Sequence, residues 1–97
     1  MLTSKQRSNL RGMASIIKPI TQVGKLGVND TLVKCLSDAL EARELIKVTV
    51  LENSDMTPRD VGYDLAEKLG AEFVCATGRK LVFYRRSKNK DFKHIEF

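Results

Sequence analysis

The sequence predicts an α/β fold, a compact two-layer α/β sandwich in which helices pack against a four-stranded mixed sheet. Helical and strand-like apolar periodicities alternate along most of the chain, and two consecutive strand-like segments follow them. The predicted element order is therefore α-β-α-β-α-β-β. The sheet is expected to be parallel where the helical crossovers run and antiparallel at the closing hairpin. A length of 97 residues fits one domain with one modest core.

The first helix and the first strand are predicted near the start of the chain. Thr3 and Gln6 have the spacing of a capping box, which predicts a helix from about residue 4 to residue 16. Pro19 cannot continue a helix, so residues 20–23 are predicted to form a short strand that ends at Gly24. Apolar residues recur at helical spacing within the first segment: Leu10, Met13, Ala14 and Ile17.

The second helix and the second strand follow a glycine-containing loop. Asn29 or Asp30 can cap a helix that ends near Arg43, and its apolar stripe consists of Leu32, Val33, Leu36, Ala39 and Leu40. Residues 45–51, with the sequence LIKVTVL, are rich in β-branched side chains. Alternation places Ile46, Val48 and Val50 together, which predicts an interior strand with one more apolar face.

The third helix and the hairpin carry the clearest local signals. Thr57 is a helix cap, Pro58 occupies the first helical position, and Gly70 can close the helix. The segments 72–77 and 80–85 are strand-like and are separated by two residues, Gly78 and Arg79, which is the spacing of a tight hairpin.

Charge is distributed unevenly along the chain. Residues 1–27 hold five basic and no acidic residues, residues 28–78 hold five basic and ten acidic residues, and residues 79–97 hold seven basic and two acidic residues. Two basic ends around an acidic middle favour one face that binds a polyanion, although solvated charge without a partner is the alternative. Residues 1–86 are predicted to form the domain, and residues 87–97 a basic C-terminal tail that orders on contact.

Several functional classes lack support in the sequence. No apolar run reaches the roughly 20 residues that a membrane span needs, and the N-terminus lacks a secretory signal, so a cytoplasmic location is expected. Cys35 and Cys75 are predicted to be reduced, mostly buried thiols. The single histidine, His94, has no identifiable triad or metal-ligand partners. We therefore expect no enzyme activity, no metal site and no cofactor.

The segment QVGKLGVND is the candidate binding loop. Gly24 and Gly27 allow backbone amides to approach a phosphate, and Lys25 adds a positive charge between them. The N-terminus of the following helix also favours an anion. Two glycines at this spacing often serve only backbone geometry, so the loop alone is a weak signal.

An aromatic side chain on the last strand is a second candidate contact. Tyr84 lies between Phe83 and Arg85, and aromatic residues beside basic ones often stack on the bases of single-stranded RNA. Because side chains alternate along a strand, only one of Phe83 and Tyr84 is expected to face outward.

Three segments of the chain carry a family likeness: the opening LTSKQRSNLRGMASIIKPITQVGKLG, the strand ELIKVTV and the hairpin strand GRKLVFYR. Together they resemble the CRM domain family, named for chloroplast RNA splicing and ribosome maturation. The likeness spans residues from about 2 to 86 and is closest to the bacterial single-domain, YhbY-like members. It implies a fold similar to the C-terminal domain of bacterial translation initiation factor three, with RNA of the precursor of the large ribosomal subunit as the partner. We expect a monomer.

The resemblance also assigns roles to individual residues. The G-x-x-G loop of the family falls on Gly24, Lys25, Leu26 and Gly27, and its basic hairpin strand falls on Arg79, Lys80, Arg85 and Arg86. The hypothesis is that these residues grip an RNA backbone together with further basic side chains: Lys5, Arg7, Arg11, Lys18 and Lys88.

Two other functions remain open at this point. A protein-binding module could dock an acidic ribosomal or translation partner through the same basic face. A small enzyme acting on RNA would need a perturbed acid, base or metal site, which the sequence does not supply.

Overall fold

A computed structural model describes residues 2–25, 27–52, 55–89 and 91–97. Leu26, one of the residues assigned to the binding loop, lies outside the described residues. The elements follow the predicted order: α1 (Ser4–Ala14), β1 (Thr21–Val23), α2 (Asp30–Arg43), β2 (Leu45–Val50), α3 (Pro58–Leu69), β3 (Glu72–Thr77) and β4 (Lys80–Tyr84).

The four strands form one mixed sheet with the order β1-β2-β4-β3. β1 pairs with β2 in parallel, with Val23 opposite Val50. β4 pairs antiparallel with both neighbours, and β3 carries a β-bulge between Phe73 and Cys75. The predicted α/β fold with a mixed four-stranded sheet is therefore confirmed. β1 and β3 are the two edge strands.

The helix caps follow from local sequence. The Thr3 hydroxyl accepts a hydrogen bond from the Gln6 amide at 3.1 Å, and the Gln6 side chain accepts one from the Thr3 amide at 3.0 Å. The Thr57 hydroxyl accepts a hydrogen bond from the Asp60 amide at the start of α3, and Gly70 closes this helix at φ +61°. α1 ends at Ala14, two residues before the predicted end, because the Ser15 hydroxyl and amide both bond back to the Gly12 carbonyl.

The main core lies on one face of the sheet, under α2 and α3. Ile46, Val48 and Val50 of β2 and Leu81 and Phe83 of β4 point to this face and are fully buried. They pack against apolar side chains of the two helices: Leu36, Leu40, Val61, Leu65 and Leu69. Cys35 is exposed on α2, so the prediction that it is buried was wrong.

Within the described ranges, side chains cover the opposite face of the sheet only at one end. Leu10 and Ala14 of α1 pack against Leu45, Val82 and Tyr84 there. The C-terminal segment adds Ile95 and Phe97 to the same cluster. α1 and this segment thus form a partial further layer, and the rest of that face of the sheet is left open.

Candidate nucleic-acid interface

The G-x-x-G loop is a tight turn at one edge of the sheet. The Gly27 amide donates to the Gly24 carbonyl at 2.9 Å. Gly27 has φ +66°, in the left-handed region that a side chain would strain, and an added Cβ there would meet no heavy atom within 4 Å. Glycine is therefore required for the backbone conformation rather than for packing. Lys25 is exposed in this turn.

A small cavity opens between the loop and the start of α2. It has a volume of about 280 Å³ and is lined by Gln22, Gly24, Lys25, Gly27, Asn29 and Leu32. The Asn29 side chain already accepts a hydrogen bond from the Leu32 amide at 2.8 Å, and Asp30 places a carboxylate in the first helical turn. Because Asp30 offsets part of the positive helix end, Lys25 is the main attraction for an anion here.

The open half of the sheet begins beside this loop. Lys47 and Thr49 of β2 point away from the main core and lie opposite Val82 and Lys80 of β4. Gln22 of β1 lies opposite Thr49 on the same face. Two lysines and two neutral polar side chains therefore form the surface of this half of the sheet.

A groove between α1 and the sheet extends this surface. Its volume is about 550 Å³. Arg11 and Ser8 of α1 line one wall, Lys47 and Lys80 line the floor, and Cys75 and Thr77 of β3 lie on the far side. A shallower depression lined by Lys18, Gln22 and Thr49 connects the groove to the loop. At the groove end, Thr49 pairs with Lys80, which lines the groove. At the loop end, Gln22 lines both the depression and the loop cavity.

We call this continuous surface the basic track; it consists of Arg11, Lys18, Lys25, Lys47 and Lys80 with the neutral residues between them. Among the described residues that line its three cavities, none is acidic. None of its five basic side chains forms an ion pair with another described residue. The track is thus a run of positive charges that form no ion pair with the described residues, and Asp30 at the start of α2 offsets part of the positive charge only near Lys25.

The remaining predicted site residues lie elsewhere. Arg79 is exposed at the hairpin tip beside the loop, where its guanidinium donates to the Leu51 carbonyl at 3.3 Å. Lys5 is exposed in the first turn of α1. Arg86 and Lys88 are exposed beyond the opposite end of β4. The structure therefore brings Arg79 close to the loop and separates Arg86 and Lys88 from it.

Arg7 and Arg85 make internal hydrogen bonds. The Arg7 guanidinium donates to the carbonyls of Phe73 and Val74 at 2.5 and 2.9 Å, which holds α1 against the bulge of β3. Arg85 lies between α2 and α3, where it donates to the Leu69 carbonyl at 2.8 Å, to the Ser37 carbonyl at 2.9 Å and to Glu41. Both guanidinium groups support the fold, and Arg85 lies away from the basic track.

Sequence reasoning missed Lys47 and misjudged Tyr84. Lys47 alternates with the buried Ile46 and Val48, so the strand pattern already indicates its outward direction. Tyr84 is only 9% exposed, because Phe97 of the C-terminal segment packs on it with ring centroids 4.8 Å apart. The candidate base contact at Tyr84 was therefore wrong.

A buried carboxylate holds the C-terminal segment in place. Glu44 is fully buried and accepts hydrogen bonds from the amides of Ser87 and Ile95 at 2.7 and 2.8 Å. The His94 ring nitrogen Nδ1 lies 2.5 Å from the same carboxylate. Burial alone would raise the pKa of Glu44, but the hydrogen bonds from Ile95, His94 and Ser87 lower it below its usual value.

Comparison with known proteins places the chain in a family. The model of the CRS1 / YhbY (CRM) domain matches residues 2–85. The chain belongs to the CRM domain family. A relative from Bacillus subtilis, named "Probable RNA-binding protein YqeI", is 46% identical and aligns over 99% of this chain and 98% of its own length. An "RNA-binding protein" from Haemophilus influenzae is 30% identical and aligns over 90% of this chain and 88% of its own length.

A solved structure supports the fold of this CRM domain. The solution structure of a hypothetical protein from Staphylococcus aureus, which is described as a candidate RNA-binding protein, matches with a TM-score of 0.79 and 43% sequence identity. The match covers 94% of this chain and 95% of the other. No helix within the described ranges is long and apolar enough to cross a membrane.

Proposed function

We propose that this CRM protein binds RNA without catalysing a reaction on it, by holding the phosphate backbone along the basic track. One observation carries this proposal. The three cavities of the track form one continuous surface, and none of the described residues that line them is acidic. Its basic residues are Arg11, Lys47, Lys80, Lys18 and Lys25. The names of the Bacillus and Haemophilus relatives support RNA as the polyanion.

The track has the chemistry of backbone recognition. Four of its five charges are lysines, which act as mobile point charges on phosphate rather than as planar readers of a base edge. At the loop, Gly27 has no side chain and no heavy atom lies within 4 Å of where a Cβ would stand, so a phosphate can approach the backbone beside Lys25. Binding should therefore depend strongly on salt and only weakly on base sequence.

The proposed cellular role is in assembly of the large ribosomal subunit in the cytoplasm. The family resemblance supplies this part of the proposal, and the electrostatic surface is compatible with it, since precursor ribosomal RNA offers dense phosphate. The prediction is that the protein co-sediments with precursors of the large subunit and that ribonuclease releases it. A complex that survives ribonuclease would instead indicate docking to an acidic protein partner.

A salt titration tests the proposed track directly. Fluorescence anisotropy would measure the affinity of a fragment of large-subunit ribosomal RNA at several salt concentrations, for the wild type and for Lys25→Ala, Lys47→Ala and Lys80→Ala. A substitution that removes one phosphate-binding charge should lower the slope of log affinity against log salt by roughly 0.7 to 0.9. The affinity should fall for many RNA sequences rather than for one.

Lys34→Ala is the matched control. It removes the same charge from an exposed position on α2, which packs on the opposite face of the sheet. Its slope should equal that of the wild type. If Lys34→Ala lowers the slope as much as Lys80→Ala, attraction is due to net charge alone and the basic track is not the site.

A further inference from the structure

Tyr63 on α3 is the aromatic side chain that the fold leaves open to solvent. It is 59% exposed, whereas the other described aromatic residues are buried or half-buried. Its ring meets the Phe73 ring at 90° with centroids 5.2 Å apart. An edge-to-face contact on one side fixes the ring and leaves most of the residue accessible.

The support beneath Tyr63 reaches the core. Phe73 also contacts Phe83, with ring centroids 5.7 Å apart, and Phe83 is fully buried. Phe73 lies against the backbone of α3 at Gly62, where an added Cβ would be 2.5 Å from its ring. The glycine therefore makes the slot that holds Phe73, and Phe73 in turn holds Tyr63.

Three arginines line the cavity beside this exposed ring. Arg59 precedes Tyr63 by one helical turn, so the two share one side of α3. A cavity of about 410 Å³ is lined by Arg59 and Tyr63 of α3, Arg7 and Arg11 of α1, and residues 73–76 of β3. None of these described lining residues is acidic, and neither Arg11 nor Arg59 forms an ion pair with a described residue.

We propose that Tyr63 and Arg59 form a stacking subsite for an unpaired base of single-stranded RNA, with Arg11 holding the adjacent phosphate. The inference rests on the proposed function and deepens it. Arg11 and Cys75 line both this cavity and the groove of the basic track, so one strand of RNA can pass from the track to Tyr63. Aromatic rings and guanidinium planes stack on bases of any sequence.

The same edge is poorly suited to a peptide strand. β3 is an edge strand, but its bulge interrupts regular pairing between Phe73 and Cys75. The Arg7 guanidinium already occupies the carbonyls of Phe73 and Val74, which an added strand would need as acceptors. An exposed ring among guanidinium groups therefore fits a nucleic-acid base better than an added strand.

Intrinsic tyrosine fluorescence reports on this subsite. The chain has two tyrosines and no tryptophan, and Tyr84 is covered by Phe97. A single-stranded RNA of about ten nucleotides should quench Tyr63, while a duplex of the same sequence should quench it much less because its bases are already stacked. Tyr63→Phe retains the stacking ring but lacks the exposed tyrosine signal, so it gives the background from Tyr84 and from absorption by RNA.

Affinity measurements on two substitutions separate stacking from charge. Tyr63→Leu should weaken binding of the single strand by about 5- to 150-fold, as expected for removal of one base stack, and should leave the salt slope unchanged. Tyr63→Phe should bind as tightly as the wild type. Arg59→Gln should weaken binding and lower the slope, while Arg43→Gln, an exposed arginine at the end of α2, should change neither.

The outcomes distinguish the subsite from the proposed function. If the wild type fails to bind RNA at low salt, the proposed function fails and the subsite fails with it. If the wild type binds with a slope that depends on Lys80 but Tyr63→Leu binds equally well, only the subsite is overturned. Equal quenching by duplex RNA, or by an acidic polypeptide such as polyglutamate, would also overturn the subsite. Thermal unfolding of each variant checks that it is folded.

Discussion

At the scale of single residues, Glu44 shows how one buried charge can organise a segment. Its backbone has φ +64°, a conformation that non-glycine residues rarely adopt, and its side chain is fully buried. The Glu44 amide donates to the Leu40 carbonyl, and the Glu44 carbonyl accepts from the Arg85 amide. This position is held by so many bonds that the unfavourable φ persists.

Glu44→Gln is expected to destabilise the fold. An amide has one oxygen, so it cannot accept from the Ser87 and Ile95 amides through two oxygens as the carboxylate does. Removing a charged acceptor from buried donors should lower the free energy of unfolding by about 1.5–3 kcal/mol at pH 7. Urea unfolding measures this. Glu67→Gln on the exposed side of α3 is the control, and it should change stability by less than about 0.5 kcal/mol.

The difference between wild type and Glu44→Gln should depend on pH. Because the pKa of Glu44 is lowered in the folded state, protonation favours unfolding. Its stabilisation is complete above the unfolded-state pKa of about 4.3 and disappears as the pH falls through the lower folded-state pKa. The gap between the two proteins should therefore shrink in acid, and a constant gap would contradict the lowered pKa.

The sequence alone does not determine which arginine side chains are free and which are bonded within the fold. Arg7, Arg11 and Arg85 are chemically identical, yet Arg11 faces the groove while Arg7 and Arg85 donate to backbone carbonyls. Which arginine meets a carbonyl depends on contacts between residues distant in the chain. The outward direction of Lys47 and of Tyr63 could have been predicted from the sequence, because each residue lies outside the apolar pattern of its own strand or helix.

At the scale of elements, local chemistry predicted where all three helices begin and where α2 and α3 end. Caps such as Thr3, Asn29 and Thr57 act on amides three residues away, so the signal and its effect lie in one short segment. The face on which α1 packs was not predictable in this way, because it depends on a cluster with Val74 and Tyr84 far along the chain. The candidate loop could be predicted in the same way, because its signal, two glycines with Lys25 between them, also lies within one short segment.

Two glycines in helices should respond oppositely to alanine. Gly12 of α1 has no atom within 4 Å of an added Cβ, so Gly12→Ala should stabilise the protein by about 0.5–1 kcal/mol. At Gly62 of α3 the added Cβ would lie 2.5 Å from Phe73, and overpacking of this kind costs about 1–3 kcal/mol. Gly62→Ala should therefore destabilise despite the helix preference of alanine.

Thermal unfolding of both alanine variants gives the sign of each change. Near-ultraviolet circular dichroism should also show an altered aromatic environment in Gly62→Ala, since Phe73 contacts both Tyr63 and Phe83. If Gly62→Ala is as stable as Gly12→Ala, the Phe73 ring does not pack against α3 at Gly62.

At the scale of the whole molecule, the fold places acidic and basic blocks of the sequence largely on opposite faces of the sheet. The acidic middle of the chain supplies α2 and α3, which cover the main core. The basic ends supply α1, the loop and the start of β4, and four of their charges meet Lys47 at the open half of the sheet: Arg11, Lys18, Lys25 and Lys80. A molecule polarised in this way can orient its open face toward a polyanion before contact, which raises the association rate at low salt.

The C-terminal segment should contribute to the fold rather than to the track. A variant that ends at Asp91 would lack Ile95, Phe97 and the hydrogen bond between His94 and Glu44. Because both apolar side chains are partly buried, we expect the free energy of unfolding to fall by about 2–4 kcal/mol.

Tyr84 should become accessible to acrylamide quenching, since Phe97 covers it in the full chain. RNA affinity, measured at a temperature where the variant is folded, should change little, because the charges of the removed Lys93 and Glu96 cancel and the basic track lies on the part of the face that this segment leaves open. Unchanged stability with Tyr84 still protected would show that the segment is not docked in solution, and a large drop in the RNA affinity of a folded variant would show that the segment itself contacts RNA.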